Sequence, residues 1–244
     1  MKNVLVTGAT GNIGSAIAKK MAQKGYNVAI HTNSKPEKAQ QLAFELSQNY
    51  KVKTEWIKAD LTDEKSVNDM FDSLEKKLGS IDVLVNNAGI SSVKMLCDTS
   101  LEEWDRVHDV NLKSAFLCSK KASENMVHNK WGRIINISSV WGQVGASCEV
   151  AYSSSKSALI GFTKALAKEL GPSGITVNCV CPGIIDTQMN DHLSNEEKKA
   201  ICEEIPAGRM GKPCEVAHAV SFLASDDASY ITAETLSVNG GWFC

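Results

Sequence analysis

The chain has 244 residues, 43% of them hydrophobic and 22% charged, which excludes a disordered polypeptide and suits one α/β domain. Lys and Arg number 26 against 28 Asp and Glu, for a net charge of −2, so no basic field exists to hold a nucleic acid. Met1-Lys2-Asn3 runs straight into the apolar Val4-Leu5-Val6 and no apolar run approaches bilayer length, so neither a signal peptide nor a membrane span is expected, and the expected location is cytoplasmic.

A first strand is predicted over Asn3–Thr7, followed by a glycine-rich turn and a helix over Ile13–Lys24. Strands over Asn27–Thr32, Thr54–Ala59 and Val83–Asn86 then alternate with helices over Pro36–Gln48 and Glu64–Leu78. A long helical pattern, Leu101–Val127, precedes a strand over Arg133–Ser138, and a helix over Tyr152–Leu170 precedes a strand over Thr176–Cys181. A short helix over Asn195–Glu203 and a longer one over Pro213–Ala224 lead to the last strand, Thr235–Val238. Most strands are nearly continuous in apolar residues, as strands covered on both faces require. Gly25, Gly79 and Gly171 follow three of the helices and read as stops. The alternation, without repeat or linker, predicts a single domain over residues 1–244: a Rossmann-like, doubly wound seven-stranded parallel sheet with helices on both faces. Ligands of such sheets bind outside the carboxyl ends of the strands.

Eight cysteines, at 97, 118, 148, 179, 181, 202, 214 and 244, include no C-x-x-C pair and no His at metal spacing, so no metal site is expected. They read as buried free thiols, with Cys179 and Cys181 on one strand face and Cys244 the one most open to oxidation. The histidines at 31, 108, 128, 192 and 218 form no triad and read as surface residues.

The turn Thr7-Gly8-Ala9-Thr10-Gly11-Asn12-Ile13-Gly14 lets backbone N–H groups approach an anion at a helix N-terminus. Asn86-Asn87-Ala88-Gly89 closes the fourth strand, Tyr152-Ser153-Ser154-Ser155-Lys156 opens a helix thirteen residues after Ser139, and Pro182-Gly183-Ile184-Ile185-Asp186-Thr187 leaves the sixth strand. Together, from Asn3 to Gly241, these segments resemble the short-chain dehydrogenase/reductase family. The resemblance implies that Gly8, Gly14 and the backbone near Ile13 bind a pyrophosphate, with Thr10 and Asn12 completing the loop. It places Asp60 and Leu61 at adenine, Asn87, Ala88 and Gly89 at the ribose, and Pro182, Gly183, Ile185 and Thr187 at the nicotinamide, the last two holding its carboxamide. The loop departs from the family's commonest form in having Asn12 where Gly is usual; Asn tolerates positive φ, so the turn survives. At the end of the second strand, Ile30-His31-Thr32-Asn33-Ser34-Lys35 carries no acid until Glu37. Asn33, Ser34 and Lys35 therefore favour NADP(H), with NAD(H) as the alternative.

Tyr152 and Lys156 stand four apart on one helix face. Bringing a phenol from about 10 to about 7 takes roughly 4 kcal/mol, which a nearby Lys⁺ and an oxidised nicotinamide are expected to supply. Tyr152 is then the general acid toward a ketone, and Lys156 also binds the nicotinamide ribose. Ser138 and Ser139 compete on sequence for the substrate oxygen; the thirteen-residue spacing to Tyr152 selects Ser139. Asn111, in Val110-Asn111-Leu112, matches the family's helix-kinking Asn of the proton relay. Trp141 either borders the substrate or packs in a core.

Within the family the chain resembles the β-ketoacyl-acyl-carrier-protein reductases, on Ile137-Ser138-Ser139-Val140, the Pro182–Thr187 segment and Asp226-Asp227-Ala228-Ser229-Tyr230-Ile231-Thr232. This implies NADP-dependent reduction of a 3-oxoacyl thioester to the 3-hydroxyacyl form in fatty acid synthesis. The partners implied are a small ketone or alcohol and an acyl carrier protein. The carrier would dock near the active-site rim at Lys130, with the neutral Ser173 at the second expected basic position and Lys168, Lys198 or Lys199 as substitutes. The alternatives are a dehydrogenase of a sugar, polyol, steroid or other secondary alcohol, and a non-catalytic nucleotide-binding regulator. The resemblance also implies a homotetramer, paired through Leu101–Val127 and Tyr152–Leu170, where Leu159, Phe162, Leu166, Ala158 and Ala165 supply apolar surface. The substrate pocket is expected from Gln143–Val150 and Gln188–Ile205.

Overall fold

The computed structural model describes residues 1–187 and 194–243, without the side chain of Asn195. Seven strands form one parallel sheet: β1 (Asn3–Val6), β2 (Asn27–Thr32), β3 (Thr54–Lys58), β4 (Val83–Asn86), β5 (Gly132–Ile137), β6 (Ile175–Pro182) and β7 (Thr235–Val238). Their order is β3-β2-β1-β4-β5-β6-β7, so the direction of winding reverses between β1 and β4. In register, Leu5 lies beside both Ala29 and Leu84. That reversal point, at the carboxyl ends, is where an open α/β sheet leaves a crevice.

Helices cover both faces, as the apolar strands require. α1 (Asn12–Gln23), α2 (Pro36–Tyr50) and α9 (Pro213–Leu223) close over Val4, Val6, Val28 and Ile30 on one side. α3 (Glu64–Leu78), α5 (Ser114–Asn129) and α7 (Val150–Leu170) close over Leu5, Ala29, Leu84 and Ile134 on the other. The period of two in each strand thus sends alternate residues to the two cores. Among the described residues, no helix is long and apolar enough to cross a membrane.

Several expectations are corrected. The pattern Leu101–Val127 is interrupted: α4 (Leu101–His108), a π-helical turn (Asp109–Lys113) and α5 follow one another. The cause is Asn111, buried in that turn, whose Nδ2 donates to the Ile90 carbonyl at 2.9 Å and to Ser155 Oγ at 3.0 Å. An unforeseen short helix, α6 (Val140–Val144), begins because Ser139 Oγ accepts from the Trp141 N–H and caps it. Gly25 and Gly79 take positive φ, whereas Gly171 is right-handed and the chain continues into a 3-10 turn that ends at Gly174, with φ 75°. α8 (Asn195–Glu204) starts on a capping box of Ser194 and Glu197.

The cysteines divide by position. Cys118, Cys179 and Cys181 are buried, but Cys97 and Cys214 are exposed on a short turn and a helix start, and Cys148 and Cys202 are half-buried. Cys244 and His192 lie outside the described residues. Two of the histidines are not surface residues. His31 is buried, and His108 stacks on Trp104 at 4.3 Å between centroids and lies 3.2 Å from Ser154 Oγ. His31 sits on β2, whose every residue is buried, so the sheet rather than side-chain polarity decides its place.

Candidate active site

The glycine turn follows β1 at the reversal point. Gly8 takes φ 61°, and a Cβ there would lie 2.9 Å from Ala88 Cα. A Cβ at Gly14 would lie 2.5 Å from the Gly8 carbonyl oxygen and 2.6 Å from Asn87 Nδ2. Both positions therefore demand glycine, to let the turn press on the loop after β4. Thr7 locks the contact: its Oγ1 accepts from the backbone N–H groups of Asn87 and Ala88 at 2.9 and 3.0 Å. Asn12 is the first residue of α1 and does not take a positive φ, so its tolerance of that region plays no part. Gly11 is the N-cap, and no side chain caps the helix. Its first-turn N–H groups accordingly face a cavity of about 630 Å³ bordered by Gly8, Asn12, Ile13 and Gly14. An elongated anion at this end meets open N–H donors and no obstructing side chain, so these residues fit a dinucleotide.

His31 holds the turn from beneath. Its Nδ1 accepts from the Gly8 N–H at 3.1 Å and its Nε2 bonds the Ala59 carbonyl at 3.0 Å, which fixes the proton on Nε2. Burial pushes this imidazole down to about 4. A folded value below the free value near 6.5 means that stability is full above pH 6.5 and falls as pH drops toward 4, by roughly 3 kcal/mol. Thermal melts across that range are expected to show this slope and to lose most of it in His31→Asn; a slope unchanged by the substitution would show that other groups cause it.

The other end of the cavity is built from β5, α7 and the loop after β4. Ser139 and Tyr152 both border it, with the Ser139 hydroxyl near enough to the phenol to act on its proton affinity. Ser138, the competitor, turns away: its Oγ donates to the Lys156 carbonyl at 2.8 Å and is buried. Burial pushes the Tyr152 phenol up to about 12, against the pull of the Ser139 hydroxyl. Lys156 is buried, donates to the Ile137 carbonyl at 2.8 Å and has its Nζ 5.7 Å from the Tyr152 ring centroid. Burial lowers this ammonium to about 8. A Cβ at Gly89 would meet both Lys156 Nζ and Asn111 Oδ1 at 3.2 Å, so Gly89 keeps that junction open. Asn111 itself stands behind Gly89, with its Oδ1 accepting from the Ile90 N–H.

The comparisons with known proteins agree with this geometry. A family model described as "Enoyl-(Acyl carrier protein) reductase" matches residues 8–243. The chain is 47% identical to a 3-oxoacyl-[acyl-carrier-protein] reductase FabG of Aquifex aeolicus, covering 98% of this chain and 96% of that protein. It is 43% identical to the protein of the same name from Staphylococcus aureus, over 99% of this chain and 98% of that one. The chain belongs to the short-chain dehydrogenase/reductase family. A crystal structure of a putative gluconate dehydrogenase from Agrobacterium tumefaciens superimposes with a TM-score of 0.95 at 30% identity, covering 99% of this chain and 95% of that one. Membership makes this chain an oxidoreductase that uses a nicotinamide cofactor.

In this short-chain dehydrogenase/reductase, Asn87, Ala88, Gly89, Pro182, Gly183, Ile185 and Thr187 border the same cavity as Ser139 and Tyr152. Thr10, Asn33, Ser34, Asp60 and Leu61 do not; they lie along the carboxyl edge near the ends of β2 and β3. Thr10 Oγ1 is 3.2 Å from Thr32 Oγ1, and Asn33, Ser34 and Lys35 are exposed. The Asp60 carboxylate accepts from the Thr62 N–H and hydroxyl, which hold it below the usual range, while the Leu61 side chain is in the core. Leu61 has only its backbone to present.

The substrate side departs furthest from expectation. Of the two segments named for it, only Glu149 and Ile201 border the cavity; Gln143 instead bonds Ser237, and residues 188–193 lie outside the described residues. Trp141 does border it, beside Trp242 from the C-terminal tail, which sequence reasoning missed. Val93 also borders it, as an exposed apolar side chain. Lys130 is not at this rim. It precedes β5, whereas Ser139 follows that strand, so they stand roughly 20 Å or more apart along it. Lys130 does adjoin Gly174, and hence Ser173, since a Cβ at Gly174 would lie 2.6 Å from the Lys130 carbonyl oxygen.

Proposed function

We propose that this chain reduces the ketone of a 3-oxoacyl thioester to the 3-hydroxyacyl form, with NADPH as the reductant. The observation that carries the reading is the pair of hydroxyl side chains, Ser139 and Tyr152, on the wall of one cavity beside a buried Lys156, with the glycine turn at its other end. Relatives named for 3-oxoacyl carrier-protein reduction, matched end to end, support the substrate class. NADPH, when bound, supplies hydride to the ketone carbon. Ser139 donates a hydrogen bond to the ketone oxygen, where negative charge develops. Tyr152 gives that oxygen its proton, and its elevated value keeps it protonated until then. Lys156 stabilises the tyrosinate left behind and holds the ribose. Asn111 fixes the loop after β4 and the start of a proton path, as its bonds to Ile90 and Ser155 equip it to do.

The choice of NADPH rests on the exposed Asn33, Ser34 and Lys35 and on the lack of an acid before Glu37. Thr32 is buried and bonds Thr10 and the Lys35 N–H, so a carboxylate is best tested at Asn33. A ketone panel of acetoacetyl thioester, sugars and steroids, assayed with each cofactor, tests the reading. The expected result is thioester reduction with NADPH preferred, and reversal of that preference in Asn33→Asp. Equal or better efficiency with NADH would defeat the cofactor choice. Reduction of a sugar ketone alone would favour the second reading, a polyol or sugar dehydrogenase, to which the gluconate dehydrogenase likeness points.

An acyl carrier protein as substrate carrier, and a homotetramer, belong to the same proposal. The half-buried Lys198 and the exposed Lys199, on the helix that brings Ile201 to the cavity, are better placed than Lys130 to meet an acidic carrier at this chain's own rim. Half-exposed Phe162 and exposed Ala165 and Phe116, on α7 and α5, support an isologous contact through those helices, whereas Leu159 is buried within this chain and supplies none of that surface.

A further inference from the structure

Three aromatic side chains meet at the mouth of the cavity. Trp141 and Trp242 pack edge to face with centroids 5.1 Å apart, and Phe243 lies 5.9 Å from Trp141 and 4.9 Å from Trp242. Trp141 is fixed near the reacting end, because its backbone N–H donates to Ser139 Oγ at 3.2 Å. Trp242 arrives from the opposite end of the sequence. Gly240 and Gly241 take φ of 68° and 83° and turn the tail back over the site. The turn is tied to the end of α8 by Ala207 N–H donating to the Gly240 carbonyl at 3.1 Å and by Trp242 Nε1 donating to Glu204 Oε2 at 3.4 Å. Asn239 Nδ2 closes it on the Phe243 carbonyl at 2.6 Å. Both tryptophans are half-buried, so each keeps ring surface open. Val93, Ile184 and Ile201 border the same cavity. Five apolar side chains at one mouth form a surface that gains by covering hydrocarbon.

A 3-oxoacyl thioester has two arms beyond its ketone. The thioester arm carries amides and a hydroxyl, which an aromatic wall would leave without hydrogen-bond partners. The acyl arm is hydrocarbon. We infer that Trp141 and Trp242 form the wall that receives the acyl arm and sets a preference for chains longer than acetoacetyl. The inference rests on the proposed thioester reduction and adds to it the residues that choose among thioesters. Burying one methylene tightens binding by about fourfold at most. Four added methylenes, partly covered, are therefore expected to raise kcat/KM by about 30-fold, chiefly through KM.

The test compares acetoacetyl and 3-oxooctanoyl N-acetylcysteamine thioesters with the whole enzyme and NADPH. The expected ratio of efficiencies, about 30 in favour of the longer chain, should fall about tenfold in Trp242→Ala and in Trp141→Ala, with the loss in KM. Trp242→Phe, which keeps an aromatic face, should retain most of it. NADPH titration confirms that each variant is folded, and Trp242→Leu replaces the alanine variant if that one is not. A flat chain-length series in the unmodified enzyme, or a slope that survives both tryptophan substitutions, overturns the inference. If no thioester is reduced, the functional reading fails separately, and the wall is judged by quenching of tryptophan fluorescence with 2-alkanones. Binding that strengthens with alkanone length and weakens in Trp242→Ala and Trp141→Ala upholds it, and length-independent binding overturns it.

Discussion

Replacing Tyr152 with Phe is expected to lower ketone reduction by about a hundredfold or more while NADPH affinity stays within about twofold. The ring that borders the cavity remains, and only the hydroxyl is lost. Binding and chemistry should therefore separate. The pH profile is part of the same expectation. Burial holds the phenol near 12, so it stays protonated across the neutral range and reduction does not depend on its titration there. Lys156, near 8, loses first the charge that stabilises the developing tyrosinate. Reduction should accordingly be level through neutral pH and decline as pH rises past about 8. Retention of more than a few per cent of activity in Tyr152→Phe would remove the residue from the acid role.

The second large effect is one of opposite signs. Lys156→Met should abolish turnover and make the free protein more stable at neutral pH. The ammonium falls from 10.5 to about 8 on folding, a cost of about 3 kcal/mol at about 1.4 kcal/mol per pH unit. Because the folded value is the lower one, the cost is complete below pH 8 and disappears as pH rises to 10.5, so the stability of the native enzyme should climb across that interval. Losing the bond to the Ile137 carbonyl returns about 1 kcal/mol of this. A net gain of about 2 kcal/mol would raise Tm by about 4–8 °C for a chain of this length. A lower Tm in Lys156→Met, or no climb between pH 8 and 10.5 in the native protein, would show that burial does not strain this lysine.

The parts of the site that were legible in the sequence are those that local spacing fixes. Tyr152 and Lys156 share a face because they stand four apart on a helix, and Gly8 and Gly14 follow a strand whose apolar run announces it. Ser139 was separable from Ser138 by its thirteen-residue spacing to Tyr152, and the structure sends Ser138 to the Lys156 carbonyl. What was not legible depends on contacts between distant segments. The break in the Leu101–Val127 pattern follows from Asn111 reaching Ile90 and Ser155; no helical period reveals it, and only the family resemblance implied a kink at Asn111. His31 reads as an ordinary polar residue until β2 is known to lie between β3 and β1 and Gly8 is known to need an acceptor. Trp242 stands a hundred residues from Trp141, and only the double-glycine turn brings the two together. Lys130 was misplaced for the opposite reason: motif spacing located it correctly in the chain and said nothing about which edge of the sheet it occupies.

In the proposed reaction hydride goes to a ketone carbon and the proton to its oxygen. The family model carries the name of an enoyl reduction, in which a carbon–carbon double bond is the acceptor instead. A competition between acetoacetyl and crotonyl N-acetylcysteamine thioesters, with NADPH deuterated at the transferring position, separates the two most directly. Ketone reduction places one deuterium on the hydroxyl-bearing carbon of 3-hydroxybutyryl thioester, consumes one NADPH per product and leaves crotonyl thioester unchanged. Deuterated butyryl thioester, with the acetoacetyl compound left intact, would contradict it.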